Sequence, residues 1–151
     1  MEIAQYIRER TSREDRIAVV GSEPPIYFYA DRQAATGYIY THALMEPHPY
    51  AASMQRPMIG EIEAANPRFV VFVRVGTSWL VGSESDQTVF RWFEDYRKGF
   101  DRIRVVNVIT PQRTTYLWGP QAAAYTPRSD RWPAVLERRD AAHTIPDRGH
   151  R

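Results

Sequence analysis

Apolar positions first recur at helical spacing at Ile3, Tyr6 and Ile7, where i, i+3 and i+4 share one face. Arg8, Glu9 and Arg10 then face water, and the polar run Thr11–Asp15 ends the pattern. Ile17–Val20 is a short apolar run closed by Gly21, as in a buried strand. Pro24-Pro25 follows, and a proline costs nothing in a first helical turn because the missing N–H would be unpaired there anyway. Pro25–Ala30 is therefore expected as a helix beneath the sheet. Gly37–Thr41 alternates and is rich in Tyr and Ile, which predicts a second strand.

His42–Tyr50, with Pro47 and Pro49, reads as a loop. Tyr50, Met54, Met58 and Ile62 fall four apart, and Ile59 joins that helical stripe. Pro57 inside it is expected to kink or restart the helix, and Asn66-Pro67 to end it. Phe69–Val75 is nearly all apolar, as suits a central strand covered on both faces. Ser78–Ser85, with Trp79, reads as a loop. Val89, Trp92, Phe93 and Tyr96 mark another amphipathic helix, with Lys98-Gly99 as its stop. Ile103–Ile109 and Thr114–Trp118 are close enough in sequence for an antiparallel hairpin at the sheet edge. The alternation predicts an open, mostly parallel α/β sheet of about five strands, with helices on both faces and a C-terminal antiparallel hairpin. Residues 1–119 form this domain. Residues 120–151, rich in Pro and Arg, are expected as a mobile or loosely docked tail, although Trp132–Arg139 has room for a helical turn or two.

Composition narrows the classes. The 151 residues suit one domain and are enough to bury about two thirds of the unfolded chain's surface. The aromatic 13% concentrates between Tyr27 and Trp118, which places the core there. With no cysteine, disulfides, thiolate metal sites and cysteine catalysis are excluded. A net charge of +2, with signs interspersed, does not point to nucleic acid. No apolar run approaches the roughly 20 residues a bilayer span needs. The N-terminus also lacks a signal peptide's apolar centre, so the chain is expected neither to span a membrane nor to direct its own export.

Candidate chemistry is sparse. The turn Gly21-Ser22-Glu23 joins a strand to a helix, a place where open α/β folds bind ligands. Neither G-x-G-x-x-G nor a P-loop is present, however, and Glu23 would repel phosphate, so a turn with a helix cap is favoured. His42, Glu46 and His48 are good zinc-ligand types, but they match no metal spacing and lie among prolines. His143 and His150 imply less. Asp31, Glu46, Glu61, Glu63, Asp86, Glu94 and Asp95 show no pairing, and Ser22 and Ser53 lack a nucleophile-elbow context. Tyr27, Phe28, Tyr29, Tyr38 and Tyr40 suit either a stacking platform or helix–sheet packing, with packing favoured. The candidate ligand-binding residues are Ser22, Glu23, Tyr27, Tyr29, Arg32, Tyr38 and Tyr40. No residue is assigned a catalytic, metal-binding or cofactor role.

Several segments together resemble the C-terminal domain of bacterial membrane glycosyltransferases of the dolichyl-phosphate-mannose–protein mannosyltransferase type, whose relatives include aminoarabinose transferases. They are the helix Ile3–Thr11, the step Asp15-Arg16-Ile17, Gly21-Ser22-Glu23-Pro24, Tyr27–Arg32, Tyr38–Tyr40 and the passage at 66–73. The resemblance is good over residues 3–75, loose over 76–118 and absent from the tail. In that family a membrane-helix bundle carries the active site and a catalytic Asp, and the donor is a polyprenyl-phosphate-linked sugar. No position here corresponds to that Asp. The resemblance therefore implies a non-catalytic accessory domain on the extracytoplasmic face, packed against membrane-embedded helices of the same or a separate chain and helping to shape the acceptor site. As a free-standing protein without a signal peptide, the chain would be cytoplasmic. The readings that remain are a stand-alone binding module for a sugar phosphate or nucleotide, its pocket formed by the carboxyl ends of the strands near Gly21 and Thr41, and, with least support, a small hydrolase or transferase using Glu23, Asp31 or His42.

Overall fold

The computed structural model describes residues 2–139. In chain order the elements are α1 (Glu2–Glu9), β1 (Arg16–Val20), α2 (Pro25–Ala30), β2 (Gln33–Ala34), α3 (His42–Met45), α4 (Ala51–Ala65) and β3 (Phe69–Arg74). Then come α5 (Gly76–Trp79), α6 (Thr88–Tyr96), a 3₁₀ turn (Arg97–Gly99), β4 (Phe100–Thr110), β5 (Arg113–Trp118), α7 (Gly119–Ala124) and β6 (Trp132–Arg138). The strands form one open sheet of six, in the order β2-β1-β3-β6-β4-β5. The α/β class and the β4–β5 hairpin at the sheet edge follow the sequence pattern, but the hairpin is not C-terminal, since α7 and β6 come after it.

The sheet is mixed rather than mostly parallel. β1 runs parallel to β2 and β3, whereas β3–β6, β6–β4 and β4–β5 are antiparallel. The difference comes from β6. The stretch assigned to a loose tail supplies a central strand that pairs with β3 from Phe69↔Glu137 to Arg74↔Trp132 and with β4 from Phe100↔Arg138 to Val105↔Ala134. Pro133 obscured it, since proline removes a ladder donor. Here Pro133 is the strand's second residue and lies beyond the last register pair with β4. The rest of the supposed tail, residues 140–151, lies outside the described residues.

A second correction concerns Gly37–Thr41, which is not a strand. The second strand is the two-residue β2, paired with Arg16 and Ile17. The chain then leaves the sheet and is tied to α4 by Glu61, whose carboxylate accepts the Thr36 hydroxyl at 2.6 Å and the Gly37 N–H at 2.9 Å. α4 runs as one helix with Pro57 inside it and ends at Asn66 in the left-handed conformation. Met58 and Ile62 of the expected stripe are buried, but Tyr50 is exposed. Short helices, α3 and α5, occupy two segments read as loops.

Strand alternation sorts side chains onto two faces. Ala18, Val20, Val70, Phe72, Ala134 and Leu136 meet α3–α6, with Leu44, Met58, Ile62, Trp79, Val89 and Phe93 opposite. Ile17, Val19, Phe69, Val71, Val73 and Val135 meet α1 and α2 through Ala4, Ile7, Tyr27 and Ala30. Gly21 ends β1 at φ +138°, and a Cβ there would lie 2.7 Å from Val73 Cβ, so only glycine lets β1 turn this close to β3.

Candidate functional site

β1 and β3 are parallel, so the turns that follow them emerge at the same end of the sheet, where the sequence placed its candidate loop. Ser22 Oγ accepts the Thr41 N–H at 2.8 Å and lies 3.0 Å from Thr41 Oγ1. Thr41 Oγ1 donates to the Ser78 carbonyl at 2.8 Å, and the Ser22 N–H to the same carbonyl at 3.2 Å. Ser78 Oγ donates to Glu23 Oε1 at 2.6 Å. Sequence reasoning found Ser22 and Glu23 and placed Thr41 near them, but missed Ser78. These four residues bond mainly to one another, so they cross-brace the turns after β1 and β3 and the segment before α3.

The tyrosines separate. Tyr27 is buried, and its hydroxyl accepts the Val19 N–H at 2.8 Å. That N–H lies past the end of β2, so the phenol takes the place of a strand that has stopped. Burial outweighs this bond and pushes the Tyr27 pKa up from 10.0 to about 12. Tyr38 packs on the α4 side of the core. Tyr29 is exposed beside Phe28, with ring centroids 5.4 Å apart, and Phe28 is 80% exposed. Tyr40 is 59% exposed at the sheet end. The set therefore does not line one concavity.

Arg32 is buried and structural. Its guanidinium donates to the carbonyls of Arg8 (2.9 Å), Thr11 (2.6 Å), Ala30 (3.2 Å) and Asp31 (2.7 Å) and to Thr11 Oγ1 (2.8 Å). Those carbonyls cluster at the ends of α1 and α2, where helices leave acceptors unpaired.

The other candidates are engaged separately. His42 Nε2 meets the Thr77 carbonyl at 3.0 Å and His48 Nε2 the Ala43 carbonyl at 2.8 Å. Asp31 pairs with Arg13, Glu94 with Arg97, Asp95 with Lys98, and Glu63 accepts the Trp92 indole N–H. Hydrogen bonds from Thr36 and Gly37 hold the Glu61 carboxyl below its ordinary range, and those from Thr88 do the same for Asp86. Among the described residues, no three His, Asp or Glu side chains are grouped to hold a metal. His143 and His150 lie outside the described residues. A shallow cleft of about 620 Å³ runs along the β2 edge, lined by Arg16, Thr36, Gly37, Glu61 and alanines of β2 and α4. It is not at the Gly21–Thr41 end.

That end carries an apolar rim instead. Leu80 closes α5 in the left-handed conformation at φ 55°, its N–H donating to the Gly76 carbonyl at 2.8 Å. This is an unfavourable conformation for a bulky residue, yet the side chain is 61% exposed. Val81 follows it and is also exposed, as are Tyr40 and Tyr50. The signal was present in Leu80-Val81-Gly82, an apolar pair placed directly before a turn glycine. No helix among the described residues is long and apolar enough to cross a membrane. Comparison with protein-family models, curated proteins and solved structures finds no match.

Proposed function

We propose that this chain is a non-catalytic accessory domain related to polyprenyl-phosphate-sugar-dependent membrane glycosyltransferases. It packs against their membrane-embedded helices at the extracytoplasmic face of a bacterial membrane and contributes to acceptor binding. The ordered sequence resemblance motivates the reading, and the rim of Tyr40, Leu80 and Val81 is the observation that carries it. Thr41 and Ser78, bonded to each other, directly adjoin or closely precede these rim residues, so the apolar groups stand on a braced base. Exposed apolar side chains gathered at one place on a surface mark a contact site.

Two measurements test the proposal. Purified chain supplied with a polyprenyl-phosphate-linked sugar and an acceptor is expected to transfer nothing, and detectable transfer overturns the non-catalytic part. A photo-crosslinking residue at Leu80, used in cells, is expected to capture a protein with several membrane spans, whereas one at Asp95 is not. Equal capture from both positions removes the support for packing through this rim.

The second reading is a binding module for a sugar phosphate or nucleotide, which the β2-edge cleft and its Arg16 favour. Glu61 in the same cleft opposes an anionic ligand. Thermal stabilisation by such a ligand, lost in Arg16→Ala, is the outcome that reading requires.

A further inference from the structure

Arg104 of β4 is the largest fully buried side chain and is 1% exposed. Its guanidinium lies over the Trp118 indole, 3.9 Å from the ring centroid, and Trp118 packs in turn on Tyr6 of α1 at 4.8 Å. Among the described residues only Nη2 has a partner, the carboxylate of Glu2. Nε and Nη1 are buried and find no acceptor among the described residues. A guanidinium cannot shed its proton to escape this position, so three N–H bonds of a cation are left without acceptors.

The partner is the opposite of buried. The Glu2 side chain is 71% exposed and reaches Arg104 from solvent, so rotation of one surface side chain uncovers Nη2. Glu2 is also the first residue of α1, whose free N–H groups and dipole favour negative charge at the same point. The guanidinium fork sets Nη1 beside Nη2, so an oxyanion with two free oxygens spans both, whereas Glu2 engages one.

We propose that Arg104, Trp118 and the first turn of α1 form an oxyanion-binding site, for a phosphate or carboxylate group, that Glu2 occupies from within the chain. Glu2 acts as a tethered competitor. An entering anion displaces it and takes up Nη1, which Glu2 leaves unpaired, together with Nη2. The site is independent of the glycosyltransferase reading.

Glu2→Gln removes the competing charge at an exposed position where the fold is expected to tolerate it. Wild type and this variant are titrated with inorganic phosphate, acetate and chloride at matched ionic strength, following the Arg104 Nε–H and Trp118 Nε1–H resonances. Phosphate, acetate or both are expected to saturate the variant about tenfold more tightly than wild type, the gain from removing an intramolecular competitor. The salt that saturates identifies the class of anion, and Arg104→Lys is expected to abolish the response. If Arg104→Lys does not fold, the wild-type and Glu2→Gln pair still decides. Identical responses in the two proteins, or the same response to chloride as to the oxyanions, would overturn the site and leave a plain ion pair.

Discussion

The two faces of the sheet are covered by different means. On the α4–α6 side, Phe72 stacks on Phe93 at 4.0 Å, and Trp79 meets Phe90 at 4.6 Å. Cohesion there is apolar contact area. On the α1–α2 side the apolar core is smaller, and arginines fasten the helix by polar bonds. Arg32 holds the α1 C-terminal carbonyls, Arg68 donates to the Arg10 carbonyl at 2.9 Å, and Arg104 holds Glu2. An apolar face fails gradually as contacts are removed. A face pinned by a few directional bonds can release its helix locally while the other side stays folded.

The largest expected effect breaks both faces together. Ending the chain at Gly119 removes β6, which supplies Ala134 and Leu136 to one face and Val135 to the other. Loss of the cooperative thermal transition is the expected outcome, and retention of a sharp melt would contradict the central placement of β6. Next, Phe93→Ala should cost about 3–5 kcal/mol in urea unfolding, as buried aromatic truncations do.

The third prediction concerns alkaline pH. Unfolded tyrosine loses its proton near 10.0, whereas Tyr27 in the fold keeps it to about 12. Between those values the folded state holds more protons, so stability falls as pH rises. The loss from Tyr27 approaches about 2–3 kcal/mol at the upper end. Tyr27→Phe should be less stable near neutral pH, where the Val19 N–H loses its acceptor, and should flatten this part of the decline. An unchanged slope would show that other groups carry it.

Arg32→Met comes fourth, at about 1–3 kcal/mol for carbonyls left unpaired. It sharpens the comparison, because amide exchange should rise in α1 while α4 and α6 stay protected. Uniform loss of protection would mean that the faces are not separable. The smallest effect belongs to Glu61, whose exposed carboxyl sits below its ordinary range. Its stabilising contribution is present above the unfolded value, near 4.3, and is lost as pH falls through the lower folded value. Melting temperature followed downward from pH 6 should fall less steeply in Glu61→Gln than in wild type.

How much could be read in the sequence followed how local each cause was. α1, β1, α2, α4, β3, α6 and the β4–β5 hairpin lie where apolar periodicity and turn residues put them. The failures had distant causes. Tyr38–Tyr40 alternates like a strand because Tyr38 and Ile39 pack on opposite sides of the core, but the preceding residues are tied to Glu61 of α4. Trp132–Arg138 is a central strand through its pairing with β3 and β4, and Asn107, buried in β4, gathers the connection before it. Its Oδ1 accepts from the Tyr125 hydroxyl at 3.0 Å and the Arg128 N–H at 2.8 Å. Asparagine amid Val105-Val106 and Val108-Ile109 was the visible trace of that arrangement. At the candidate site, Ser22 and Glu23 were legible from the turn they occupy. Thr41 was placed near them through the expected strand end, but Ser78 was not, because only the fold brings it to the site.

The position of β6 also governs when the molecule can assemble. Arg68, just before β3, pairs with Glu137 of β6, its partner 69 positions along the chain. Until β6 leaves the ribosome, β2-β1-β3 and the β4–β5 hairpin are two half-sheets, each with an open edge where the missing strand belongs. Closing so long a loop is slow, and unpaired edges meanwhile invite pairing with other chains. Synthesis therefore carries a window of exposure that a domain with its central strands first would avoid, and the last described strand closes it.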